Sequence, residues 1–383
     1  MKATFNTADF FNALQSVKPA MSLKSKAHAN DAIKIENTEN AILITAENRD
    51  TRIVSRVMAE VTEPFEQDIP PCEFKSIESA SKLAKAAKAE TSSIVLDSNV
   101  SFEGAATCDL TISHRLLQIE TEPETMPETC LEVDRAAFLA TLEKLAFCAG
   151  DDSQDSLSCV QLSYGDNKLL VSALDGHQCY TEALQGEHFA PLSPGNEATL
   201  PRPEQLFQWA KTIPKHEKVV RIAATETHFF AISEKSVYTS VFAPYRALDV
   251  SLFLAKRNNE DKSSVSFSRV KLLSALKSLV PATNANERAV YFYLSQDDCF
   301  MRTGNGKSHT TINCDFSGSV EKIAFPAKEL LKIVESLDAE TVTLEMTGAE
   351  TPCFIGNGQG VFVLCPMKLP YEAEEETPIK QAA

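Results

Sequence analysis

Apolar residues recur along this chain in three gapless, mutually alignable segments: FNTADFFNALQSV (5–17), VDRAAFLATLEKL (133–145) and FSRVKLLSALKSL (267–279). Each opens on an apolar, strand-like residue and continues with a residue suited to capping a helix, namely Asn6, Asp134 and Ser268. Apolar side chains then fall at Phe10, Phe11, Leu14 and Val17; at Phe138, Leu139, Leu142 and Leu145; and at Leu272, Leu273, Leu276 and Leu279. That i, i+1, i+4, i+7 spacing is one buried face of an amphipathic helix.

A second series interleaves with the first: IPPCEFKSI from Ile69, LPRPEQLFQ from Leu200 and FPAKELLKI from Phe325. In each, a strand ends on an apolar residue, proline follows, and a helix starts. Proline suits a first helical turn, where its missing N–H would have no partner in any case. Alternating, strand-like sequence comes after each of these helices, as in SIVLDSNVSFEG, KVVRIAATETHFFAIS and TVTLEMTGAETPCFIG. Six helices are expected, at 6–18, 71–89, 134–147, 201–218, 268–279 and 326–338. The pattern predicts an α+β chain of three similar domains, each with two helices packed on antiparallel sheets. They span 1–128, 129–250 and 251–370. The remainder, 371–383, is an acidic stretch without periodicity, expected to be a disordered tail.

Composition narrows the class. Hydrophobic residues make up 43% of the 383 and charged residues 23%, as in a soluble globular protein. No apolar run approaches the ~20 residues of a membrane span, and no signal-peptide core is evident, so a cytoplasmic protein without a membrane partner is expected. The ten cysteines stand singly, with no CxxC, which reads as reduced core thiols and not as a zinc or redox site.

The formal charge of −16 argues against nucleic acid until its distribution is considered. Over the six expected helices there are sixteen cations and ten anions, so the helices carry +6 and the rest of the chain −22. On the second helix, at ~100° per residue, Lys75, Lys82 and Lys85 fall on one side, with Ile77, Ala80, Ala84 and Ala87 opposite. Such a face suits a phosphate backbone without reading bases. For one helix taken alone, a merely solvated lysine-rich surface explains the same residues.

Catalytic motifs are absent. The GNGKS at Gly304–Ser308 lacks the glycine a phosphate loop requires at Met301. The GNGQG at Gly356–Gly360 reads as a turn between strands. Seven histidines occur without HExxH or paired spacing, and Asp175-Gly176-His177 reads as a turn. Neither a metal site nor a cofactor is expected, and the chain is not read as an enzyme.

The repeat plan, the VSALDGHQC segment (171–179) and the FVLCPMKL segment (362–369) together resemble the bacterial DNA polymerase III beta subunit, the sliding clamp, from Met1 to about Pro370. The family usually has TDGH followed by Arg and Leu, and ends in a run like VMPMRL. Pro244–Arg246 matches its segment joining the second and third domains. The resemblance implies a head-to-tail homodimeric ring around double-stranded DNA that tethers a DNA polymerase and is opened by a clamp loader. The basic residues expected to face DNA are Lys75, Lys82, Lys85, Lys88, Arg202, Lys211, Lys215, Arg269, Lys271 and Lys277. A groove for partner peptides is implied at Leu157, Leu174, Gly176, His177, Pro244, Arg246, Val363, Leu364, Pro366, Met367 and Leu369. Gln178 and Cys179 replace the family's Arg and Leu, and Pro281 and Ala282 stand where it tends to have larger aliphatics. Ring contacts are expected at the edge strand near Cys108 to Ile112 and after Leu279. The rival reading is a repeat-built interaction scaffold that never touches DNA.

Overall fold

The computed structural model describes residues 2–21, 32–62, 66–69, 71–96, 100–104, 107–110, 127, 130–150, 155–165, 168–185, 197–245, 250, 254, 257, 262–284, 288–356 and 360–369. The acidic tail and Arg246 lie outside these residues. All six expected helices form: α1 (Thr7–Val17), α2 (Pro71–Ala86), α3 (Arg135–Cys148), α4 (Pro203–Thr212), α5 (Arg269–Leu279) and α6 (Ala327–Ser336). Contacts divide the chain into two compact units, 1–175 with 182–248, and 176–181 with 249–383.

The larger unit contains the first two repeats. Its main sheet runs β8 (Thr107–Leu110), β7 (Val100–Glu103), β6 (Thr91–Leu96), β1 (Lys2–Asn6), β4 (Thr51–Val61), β16 (Ser236–Val241), β15 (His228–Ile232), β14 (Val219–Ala224) and β9 (Leu131–Asp134). Off this path, β3 (Ala41–Glu47) pairs with β4, β2 (Ala32–Thr38) with β3, and β5 (Glu66–Ile69) with β2. Every pairing for which the register is resolved is antiparallel; β4 meets β16 with Ile53 opposite Tyr238. A second layer runs β13 (Glu197–Leu200), β10 (Val160–Gly165) and β11 (Lys168–Leu174).

The smaller unit holds the third repeat. One layer runs β25 (Gly360–Leu364), β24 (Cys353–Ile355), β23 (Thr341–Met346), β17 (Ser263–Ser268) and β21 (Asp315–Ser317). The other runs β20 (His309–Asn313), β19 (Asp298–Thr303), β18 (Ala289–Leu294) and β22 (Lys322–Pro326). Residues 176–181, which include the start of β12 (Gln178–Gln185), belong here: the Cys365 amide donates to the His177 carbonyl at 2.8 Å.

Of the repeated apolar residues, those at i, i+4 and i+7 make the cores, whereas Phe11, Leu139 and Leu273 at i+1 are only half-buried, so the inward stripe is narrower than the spacing implied. Phe5 stacks on Phe10 with ring centroids 4.3 Å apart, and Phe102 closes the cluster. Trp209, fully buried, donates from its indole to Ser236 Oγ at 3.1 Å. In the smaller unit Phe292 meets Phe267 and Phe325 edge-on at 6.1 and 5.4 Å. Burying one such ring contributes about 2–3 kcal/mol, enough for these clusters to decide which helix face turns inward.

The caps differ in strength. Asn6 accepts from the Ala8 and Asp9 amides, and Asp134 from the Ala137 amide, whereas Ser268 forms no side-chain cap. The three repeats share one further bond. The first amide of the leading helix, on Thr7, Arg135 or Arg269, donates to the carbonyl of Glu90, Lys218 or Glu340, each directly before a strand.

Three expected helix ends are corrected. α2 stops at Ala86, and Lys88 takes a left-handed backbone with φ of 57°. α4 stops at Thr212 because Pro214 has no amide to continue the ladder, so Lys215 and Lys218 stand in the following turn. α6 ends at Ser336. The inward stripe of α2 is Phe74, Ile77, Ser81 and Ala84; Ala80 is only half-buried and Ala87 is exposed. Of the nine cysteines described, Cys148, Cys159, Cys179, Cys299 and Cys353 are buried, but Cys108, Cys130, Cys314 and Cys365 are half-exposed and not core thiols.

Candidate functional site

Helix α2 carries the clearest basic face. Lys75, Lys82 and Lys85 are exposed on it, and Lys88 is exposed just beyond its end. Lys85 donates to Asn12 Oδ1 at 3.1 Å and lies 4.7 Å from the centre of the Phe11 ring, which orients its ammonium over α1. The face is not uniformly positive. Glu78 sits among the lysines; burial alone would raise its pKa, but bonds from Gln15 and Lys18 and the charge of Lys82 lower it. That carboxylate therefore stays ionised and moderates the local field.

The other basic candidates differ in what their charges do. Arg202 begins α4 from a left-handed backbone at φ of 52° and pairs with Asp50 at 3.0 Å. Lys211 lies 3.9 Å from the centre of the Phe207 ring. Lys215 is exposed in the turn after α4. In the smaller unit Lys271 donates to Asn313 Oδ1 at 3.2 Å, and Lys277 pairs with Glu335 at 3.0 Å. Exposed pairs of this kind contribute about 0–1 kcal/mol, so Arg202 and Lys277 remain able to exchange partners. Arg269 is different: its guanidinium donates to the carbonyls of Val334 and Glu335 at the end of α6. Its repeat counterpart Arg135 does the same to Ile213 after α4, at 3.1 and 2.7 Å. These two arginines close helix ends.

The residues expected to form a peptide groove are divided between the two units. In the larger one, Leu157 is half-buried in a 3-10 turn and accepts at its carbonyl from the Gly150 amide at 2.8 Å. Leu174, 7% exposed, ends β11, and Pro244 is exposed after β16. In the smaller unit Gly176, with φ of 89°, and His177 are exposed ahead of β12. Val363 and Leu364 are buried strand residues of β25 at 4% and 0% exposure. Pro366, Met367 and Leu369 follow half-exposed, and the Met367 amide is held by the Ala324 carbonyl at 2.8 Å. The backbone of this last segment is thus fixed while its apolar side chains stay partly open.

Comparison with solved structures decides the architecture. A putative DNA polymerase III beta subunit from Eubacterium rectale superposes with a TM-score of 0.83 at 17% identity, covering 96% of this chain and 100% of that one. The beta subunit of Thermotoga maritima matches with a TM-score of 0.83 at 17% identity, over 96% and 99% of the two chains. The sliding clamp of Bacillus subtilis gives 0.81 at 16%, again over 96% and 99%. The chain has the bacterial sliding-clamp fold. No protein-family model matches it, and a search of curated proteins finds no match either. The clamp fold has therefore been kept here while most of the sequence differs.

Within this clamp fold, three residues that spacing did not single out come together at one end of the larger unit. They are His216 and Glu217, before β14, and Glu234, in the hairpin between β15 and β16. Residues 217 and 234 are too far apart in the chain for any short motif to join them.

Proposed function

We propose that this chain is a DNA sliding clamp: a non-catalytic, head-to-tail homodimer that encircles duplex DNA and serves as processivity factor for a replicative DNA polymerase. The observation carrying this reading is the near-complete coverage of clamp structures at TM-scores above 0.8, together with the exposed lysine row of α2. Retention would be topological. Weak, screened phosphate contacts allow sliding, whereas a strongly cationic lining would arrest it. The observed helices fit that requirement: leaving out Arg135 and Arg269, which close helix ends, they carry nine cations (Lys75, Lys82, Lys85, Lys144, Lys211, Lys271, Lys277, Lys328, Lys332) against seven anions (Asp9, Glu73, Glu78, Glu143, Glu204, Glu329, Glu335).

On this reading the chain divides into clamp domains 1–128, 129–250 and 251–370. Edge strand β8 and the Val280–Ala282 turn are the surfaces assigned to ring closure. Polymerase and clamp-loader peptides would be taken up by Leu157, Leu174, Gly176, His177, Pro244, Arg246, Val363, Leu364, Pro366, Met367 and Leu369. Methionine and aliphatic side chains give an adaptable apolar slot for such peptides.

The deciding experiment loads the purified protein onto nicked circular DNA, then linearises it. A clamp persists on the circle and is lost from the free ends. Equal retention on both forms would refute topological binding and favour an interaction scaffold or ordinary DNA adhesion.

A further inference from the structure

Glu217 is 2% exposed, and one of its carboxylate oxygens, Oε1, has no hydrogen-bond partner. The other, Oε2, accepts from the Glu234 amide at 2.9 Å. Burying a carboxylate oxygen without a partner is costly, so such an atom calls for a counter-charge or a ligand. A nitrogen of His216, a carboxylate oxygen of Glu217 and one of Glu234 all lie within 4.8 Å of one another. The neighbouring lysines are directed elsewhere: Lys218 donates to the Lys215 carbonyl at 3.3 Å, and Lys235 pairs with Asp9 at 3.0 Å.

We propose that His216, Glu217 and Glu234 form a binding site for a borderline divalent transition-metal ion of the zinc class. Two carboxylates balance the dication, and an imidazole favours zinc or cobalt over magnesium or calcium, which prefer all-oxygen shells. Glu217 is the fixed ligand, held by the Glu234 amide and by its own amide's bond to the Pro214 carbonyl at 3.1 Å. His216 and Glu234 are exposed and can close by rotation to the roughly 2.0–2.2 Å reach of zinc. The ion would clip the turn after α4 to the β15–β16 hairpin, which Glu217 already bridges through the Glu234 amide.

The test is a titration of the full-length protein with cobalt chloride and zinc chloride, reading cobalt absorption and the metal-dependent rise in Tm. One ion per chain is expected, without a thiolate charge-transfer band, and magnesium chloride should raise Tm no more than ionic strength does. His216→Ala and Glu234→Gln, both at exposed positions, should each weaken binding by roughly tenfold or more. Glu217→Gln should abolish it. Undiminished affinity in both exposed variants, a thiolate band, or no saturable binding would each overturn the assignment. Because the readouts are metal occupancy and Tm, they stand or fall independently of DNA retention.

Discussion

Arg269 Nε donates to the carbonyl oxygen of Val334 at 3.0 Å, and its second donor reaches Glu335 at 2.9 Å, so a residue from the start of one helix closes the end of another. The carbonyls of a last helical turn have no partner within their own helix, and a guanidinium also meets the negative end of the helix dipole there. Arg269→Ala should therefore cost about 1.5–3 kcal/mol in urea unfolding. Arg269→Lys should recover part of it. DNA retention of the folded variant should change little, contrary to what the position of Arg269 among the helical cations suggests.

Lys82, Lys85 and Lys88 are exposed. Replacing all three by alanine should cost no more than about 1–2 kcal/mol, most of it from the Lys85 contacts with Asn12 and Phe11. Residence on DNA should shorten, and the salt dependence of binding should flatten by up to ~0.9 in log–log slope per contact removed. Binding measured from 50 to 200 mM salt checks this; an unchanged slope removes α2 from the DNA-facing surface.

Glu345 is placed between Lys262 and Arg257, at 2.7 and 2.6 Å. Burial would raise its pKa, but these two bonded cations outweigh burial and hold it below the ordinary 4.5. A depressed carboxylate stabilises the fold above its unfolded pKa, and that contribution disappears as pH falls through the folded value. Wild type should thus lose stability below about pH 4.5 more steeply than Glu345→Gln, which should already be weaker at neutral pH. Urea midpoints between pH 7 and 3 would show the two curves converging.

Gly318 has a φ of 129°, and a Cβ there would stand 2.3 Å from Ser263 Oγ and 2.5 Å from its Cα. Ser263, 1% exposed, accepts from the Ser319 and Val320 amides with that same oxygen. Gly318→Ala should cost about 3 kcal/mol, combining overpacking with backbone strain. Thermal unfolding measures it, and a neutral result would contradict the close approach.

Truncation after Cys365 removes Pro366, Met367 and Leu369 together with the Met367–Ala324 backbone bond. Capture of polymerase-type peptides should be abolished, and Met367→Ala should weaken it by about tenfold, near the loss of a buried methionine's contacts. Fluorescence anisotropy with a labelled peptide gives both numbers; unchanged affinity would refute the assigned groove.

The helices were legible because each repeats an apolar spacing that only one face of a helix satisfies. Their ends were less so. Pro214 shortens α4 by simple loss of an amide, a signal present in the sequence, whereas the left-handed turn at Lys88 has no residue that announces it. The stripe of α2 rotated away from Ala80 and Ala87 because Phe74 has more surface to bury than either alanine. The basic residues could be found by counting, but not sorted. Whether an arginine faces solvent or a helix terminus depends on where a segment such as Val334–Glu335 arrives, and that is a tertiary fact. Glu217 was invisible for the same reason, since its significance lies in Glu234 and in a buried oxygen without a partner.

The hydrogen bonds that the Thr7, Arg135 and Arg269 amides donate to the carbonyls of Glu90, Lys218 and Glu340 set an order of events during synthesis. In every repeat the leading helix leaves the ribosome long before the carbonyl that pins it. A nascent chain must therefore carry each of these helices with its first amide unpinned, whatever the local cap does, until the second half of the same repeat has emerged. Only then can the repeat close as a unit, so the protein is expected to fold in successive instalments, each completed by the residue just ahead of a strand.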